Sequence, residues 1–132
     1  MAKNNEIAVQ QHHQSTALIE RSEPEQFTMP PADIYETPEA FVVMLDMPGA
    51  SKDTISVHIA RERLVVRGPV TAFHKENASL LFNEIPAVGF YRAFNLGKGI
   101  DQNDVDAHFE DGVLTITLRK KEEMKPKEIH IK

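Results

Sequence analysis

Between Ala32 and Leu118 no apolar run exceeds the length of a strand, and short β-branched or aromatic stretches alternate with clusters of Gly, Pro, Asn and Asp. That punctuation predicts an all-β domain of many short strands. AFVVMLDMPG (Ala40 to Gly49) is apolar on both parities and halts at Pro48-Gly49, which predicts a strand buried between two sheets. TISVHI alternates cleanly, with Ile55, Val57 and Ile59 on one face against Thr54, Ser56 and His58. RLVVRG follows as a short strand that ends at Gly68. In GFYRAFNL the even positions Phe90, Phe94 and Leu96 share a face with Arg92, and VDAHF places Val105, Ala107 and Phe109 together. VLTITL turns Leu114, Ile116 and Leu118 inward after Asp111-Gly112, a pair suited to a tight hairpin.

Three segments flank or interrupt this pattern. Residues 1–30 are polar and glutamine-rich and close on Pro30-Pro31, so they read as an N-terminal arm. Ala17, Leu18 and Ile19 follow Ser15, a candidate helix cap, and form a short amphipathic helix only when packed on something. The stretch between Gly68 and Pro86 is too long for a hairpin loop and carries Phe73, Leu80, Leu81, Phe82 and Ile85. After Leu118 comes the charge-dense RKKEEMKPKE, in which Pro126 blocks a continuous helix, and then Ile129-His130-Ile131. Two isoleucines spaced by one residue place both side chains on one face, as in a strand that adds to a sheet edge. The division is therefore an arm (1–30), a β domain (31–118) and a C-terminal extension (119–132).

Composition narrows the function. With 41% hydrophobic residues the 132-residue chain can fill one core, and a second catalytic domain has no room. A formal charge of -5 leaves no basic excess to neutralise phosphates, against nucleic acid as the main partner. No stretch approaches the roughly 20 apolar residues that span a bilayer, so no integral membrane association is expected. The first residues lack the apolar core of a secretory signal, and a cytoplasmic location is the default. Zero cysteines exclude disulfides and thiolate chemistry, and the six histidines show no compact metal-ligand spacing. Neither a GxSxG elbow nor a phosphate or dinucleotide glycine loop is present, so no enzyme activity, no cofactor and no metal are expected.

The order of segments carries a resemblance. Ala107-His108-Phe109-Glu110-Asp111-Gly112-Val113-Leu114 contains an alanine followed shortly by Gly-Val-Leu, GFYRAFNL supplies an F-x-R-x-F-x-L strand, and Ile129-His130-Ile131 an I-x-I tail. With DIYETPEAFVVMLDMPG as the opening strands, the chain from about Pro31 to Lys132 resembles the small heat-shock proteins, the α-crystallin or Hsp20 family, in its bacterial or archaeal members. It departs from that pattern at Leu96-Gly97-Lys98-Gly99, where the family often has Leu-Pro, and in an arm whose one aromatic residue is Phe27. The resemblance implies an immunoglobulin-like β-sandwich with a flexible arm and tail. It also implies a homo-oligomer built from strand-exchanged dimers, and an ATP-independent holdase that binds partly unfolded client proteins.

Site expectations follow from both readings. Ile129 and Ile131 are the oligomerisation tail, because two apolar residues on a charged segment cost solubility unless buried. The alternative, a last strand paired within its own domain, is opposed by the charged linker and Pro126. The receiving groove is expected at Val57, Ile59, Val105, Ala107 and Phe109. Arg92 shares the parity of Phe90 and Phe94 and is carried toward an apolar or subunit interface, where Glu84 and Asp111 are unranked candidate partners. The resemblance makes Leu80, Leu81 and Phe82 part of the exchanged strand, with Arg92 and Glu84 at the dimer interface. Leu18, Ile19 and Phe27 are the client-binding residues of the arm. Competing functions are a single-partner co-chaperone or adaptor of the CS-domain type and a purely structural oligomer.

Overall fold

Alternation along each strand sorts side chains into an inner and an outer row, and the computed structural model, which describes residues 26–71, 74–84 and 87–132, stacks two sheets on their inner rows. The strands are β1 (Phe27–Thr28), β2 (Ala32–Glu36), β3 (Ala40–Asp46), β4 (Ser56–Ala60), β5 (Arg63–Gly68), β6 (Gly89–Asn95), β7 (Ile100–Glu110) and β8 (Val113–Lys120). A 3-10 turn, Glu122–Met124, follows β8. One sheet runs β1-β6-β5-β4 and the other β2-β3-β8-β7, an all-β sandwich as expected. Among the described residues no helix is long and apolar enough to cross a membrane.

The core forms where the inner rows meet. Leu45, Met47, Leu64, Val66 and Ile116 are completely buried, with Val43, Leu114 and Leu118 nearly so. Each such side chain contributes about 1.5–3 kcal/mol on transfer from water. Gly68 belongs to this contact: a Cβ there collides with Met47 Cε, so glycine lets the strand approach its neighbour.

One expectation needs correction. β3 is not buried on both faces: Val43 and Leu45 point into the core, but Val42 and Met44 are half-buried. The reason is topological. β3 is interior to its sheet, and its outer row is flanked by in-sheet neighbours, with Val42 opposite Tyr35 and Thr117, and Met44 opposite Asp33 and Thr115. Its apolar outer residues reflect lateral packing within one sheet.

Turns follow local chemistry. Thr37 closes the β2–β3 connection, its hydroxyl oxygen accepting from the Ala40 amide at 2.9 Å. Asp111 and Gly112 both have positive φ (52° and 77°), as the primed hairpin requires. The β4–β5 hairpin uses the same backbone with Arg61 (φ 53°) and Glu62 (φ 62°), where no glycine relieves the strain. Glu62 is held because its carbonyl accepts from the Leu96 amide at 2.7 Å, tying the turn to the end of β6.

Two outcomes are expected in urea unfolding followed by circular dichroism. Glu62→Gly stabilises by about 1 kcal/mol, because the left-handed backbone stays and its steric cost goes. Gly68→Ala destabilises by about 1 kcal/mol, because the added methyl meets only the terminal methyl of the flexible Met47 side chain, which must swing aside within the core.

Candidate functional site

The tail leaves the sandwich through a defined root. After β8 the Lys121 amide donates to the Gly99 carbonyl at 2.8 Å, and the 3-10 turn carries a Lys125–Glu122 ion pair at 2.7 Å. From Lys125 the chain has no helix or strand, and Pro126 offers no amide to a ladder. Ile129 and Ile131 are 86% and 97% exposed, so neither packs on its own domain. Their spacing keeps both on one side of an extended segment.

The residues expected to receive such a segment lie on the last strand of each sheet. Val57 and Ile59 on β4, and Val105 and Phe109 on β7, are half-buried against the common core cluster. Ala107 shares the parity of Val105 and Phe109 but is exposed, its single methyl being too short to reach the core from an edge strand. β7 also carries a register irregularity between Ile100 and Val105. At its far end Arg119 of β8 holds Asp104, within the irregular stretch, at 3.0 Å and Asp106, beyond it, at 2.7 Å. Among the described residues both edges thus offer unpaired backbone beside apolar side chains, the arrangement that accepts an added strand.

The long connection between β5 and β6 exposes its apolar residues. Leu80, Leu81 and Phe82 are 78%, 92% and 77% exposed, and Glu84 is also exposed. Ile34 and Tyr35 on the edge strand β2 are uncovered too. Phe73 and Ile85 lie outside the described residues, as do Leu18 and Ile19 of the arm.

Arg92 has a partner that the sequence did not point to. It is half-buried with its guanidinium 5.0 Å from the Phe94 ring, and its Nη1 donates to the Pro30 carbonyl at 2.8 Å. Neither Glu84 nor Asp111 is that partner; both are exposed. The strand parity was right, but the acceptor is backbone, supplied where the segment after β1 crosses from one sheet to the other. The Asp46 amide donates to the Pro31 carbonyl at 3.1 Å, so consecutive carbonyls are held by opposite sheets.

Phe27 is likewise engaged locally. β1 pairs parallel with β6, Phe27 opposite Gly89, and the Phe27 ring meets Tyr91 edge-on with centroids 6.5 Å apart. The Arg67 guanidinium lies 5.1 Å from the Phe27 ring and 5.4 Å from the Tyr91 ring. Sequence reading missed this cluster because its members lie on three separate strands. The available signal was a lone aromatic just before Pro30-Pro31 in a polar arm. Among the described residues no group of three or more His, Cys, Asp or Glu side chains is arranged to hold a metal ion.

Comparison with known proteins adds the following. The model of the Hsp20/alpha crystallin family matches residues 33–132. Spore protein SP21 of Stigmatella aurantiaca is 34% identical over 104 residues, covering 78% of this chain and 62% of that protein. A 17.7 kDa class II heat shock protein of Arabidopsis thaliana is 39% identical over 107 residues, covering 76% of this chain and 69% of the relative. Heat shock protein 16.0 from Schizosaccharomyces pombe superposes with a TM-score of 0.64 at 28% identity, over 80% of this chain and 99% of the other. A small heat-shock protein from Xylella fastidiosa gives 0.60 at 28% identity, over 80% and 97%.

Removing the guanidinium tests the junction. Arg92→Ala leaves the Pro30 carbonyl without its donor and is expected to cost about 1–3 kcal/mol. Limited proteolysis should then cut between Gln26 and Pro31 faster than in the parent, and unchanged cleavage and stability would remove Arg92 from the junction.

Proposed function

The chain belongs to the Hsp20/alpha crystallin family, whose model spans residues 33–132, and from that membership we propose that it is an ATP-independent holdase that binds partly unfolded proteins in the cytoplasm and keeps them from aggregating. In this reading residues 31–118 form the α-crystallin domain. The arm (1–30) supplies client contacts through Leu18 and Ile19, and through Phe27 once β1 parts from β6, and the extension (119–132) links subunits. Dimers form by exchange of the segment around Leu80, Leu81 and Phe82, with Arg92 and Glu84 at the interface. Tails join the dimers through Ile129 and Ile131, received by Val57, Ile59, Val105, Ala107 and Phe109.

The observation that carries this reading is the exposure of apolar side chains on two segments outside the core. Ile129 and Ile131 on the tail, and Leu80, Leu81 and Phe82 in the long connection, find no cover within their own subunit. A chain avoids that cost when another surface covers them. Burying both tail isoleucines is worth about 3–6 kcal/mol before ordering costs, which makes one contact weak. Several tails in one particle act at high effective concentration, giving an assembly stable as a whole whose single contacts open often. Heat or client load then shifts the population toward smaller species that expose apolar surface.

The test is light scattering from a heat-labile client warmed with stoichiometric protein and no nucleotide, beside an inert protein control. Suppressed scattering with soluble complexes is the expected result. Scattering equal to the control across temperatures favours a structural oligomer or a single-partner adaptor. Replacing both Ile129 and Ile131 by Ala is expected to shift the protein to small species, chiefly dimers, in size-exclusion chromatography with multi-angle scattering. An unchanged particle mass would remove the tail from assembly.

A further inference from the structure

A cavity of about 810 Å³ opens between the two sheets at the end where β6 turns into β7, away from the β4 and β7 groove residues and beside the root of the tail, whose Lys120, Lys121, Glu123 and Met124 help to line it. Its size falls in the range of small-molecule sites, about 300–1,000 Å³. The floor is core: Leu64, Leu96 and Leu118, all buried, with the half-buried Phe41 and Phe94 as walls. The mouth is charged. Lys120 lies 5.0 Å from the Phe41 ring and pairs with Glu36 at 2.7 Å, its side chain only 11% exposed. Lys98 and Lys121 also line the cavity, and among the described residues neither is in an ion pair; the Glu123 carboxylate lines it too, so with the Lys120–Glu36 pair the lining carries three ammonium groups against two carboxylates.

A deep apolar floor beneath two uncommitted ammonium groups selects a molecule that is apolar at one end and anionic at the other. A neutral hydrocarbon leaves the lysines unused, and a peptide strand finds its backbone partners along the β2 edge beside Ile34 and Glu36, not on the apolar floor between the sheets. The cavity also has a lid. Met124, in the 3-10 turn at the root of the tail, lines it and lies against Gly99, where an added Cβ would be 2.9 Å from Met124 Cγ. The geometry points to a binding site for a long-chain carboxylate, its chain between the sheets under Met124 and its carboxylate at Lys98 and Lys121. This site is independent of the chaperone reading.

The experiment is calorimetric titration of the full chain with dodecanoate below its micelle concentration, with dodecanol and hexanoate as controls and the Met124 methyl followed by NMR. Saturable dodecanoate binding is expected, with dodecanol and hexanoate much weaker and the Met124 methyl resonance shifted. Lys98→Gln with Lys121→Gln, both at exposed positions, is expected to weaken dodecanoate about tenfold and leave dodecanol unchanged. Ile34→Trp, a change at a lining residue that is 56% exposed, is expected to fill the mouth and abolish binding without unfolding the core. Absence of saturable binding overturns the proposal, and is also the result if a second copy of the chain fills the cavity. Binding that the lysine pair and Ile34→Trp both leave intact overturns it as well, by assigning the ligand to another exposed apolar surface.

Discussion

The contact between the two inner rows is what everything else in this molecule rests on. Leu45 from one sheet and Leu64 and Val66 from the other, with Met47 just after β3 and Ile116 on β8 beside it, are withdrawn completely from water. No disulfide is available in a chain without cysteine, so apolar burial between short strands must offset the chain entropy of ordering them. The fit is close enough that a methyl group at Gly68 would have to displace the end of the Met47 side chain. Turns, edges and tails take their positions from that contact.

A sandwich made of two open sheets has edges, and the edges organise the rest of the surface. Among the described residues β4, β7 and β2 each end a sheet with unpaired backbone, and the remaining sheet end is capped by the two residues of β1. Edge backbone left free invites association, which natural chains either suppress or use. Here apolar residues stand beside the edges: Ile34 and Tyr35 on β2 are exposed, and the inner residues of β4 and β7 are half-covered. The chain also carries loose apolar segments of strand length. Association through edges is the physical basis of the proposed oligomer, and the same incompleteness leaves an open cavity at the mouth between the sheets.

Two arginines on neighbouring strands set where the arm joins the body. Arg67 lies over Phe27 and Tyr91, and Arg92 holds the Pro30 carbonyl. A guanidinium suits both tasks because its flat face stacks on rings while its edge donates in the plane. The arm therefore has a fixed point of departure, on the sheet that β4 ends. At the other terminus Lys121 and Met124 dock on Gly99 and fix the departure of the tail.

What the sequence by itself determined was whatever has a local period. Alternation placed Leu114, Ile116 and Leu118 in the core, Asp111-Gly112 marked its hairpin, and the spacing of Ile129 and Ile131 set them on one face. The ordered motifs from Ala107 to Leu114 and in GFYRAFNL identified the family, because each is short and contiguous. Only the tertiary structure decided which strands lie side by side. It therefore decided that β3 is covered laterally on its outer face, that β1 joins β6, and that Arg92 meets a carbonyl 62 residues away instead of Glu84 or Asp111. It also gathered Leu64, Phe94, Leu118 and Met124 around one cavity. The physical reason is that a strand's parity is set by its own backbone pleat, whereas its neighbours are chosen by the burial of apolar area over the whole chain, a sum in which no single segment carries the answer.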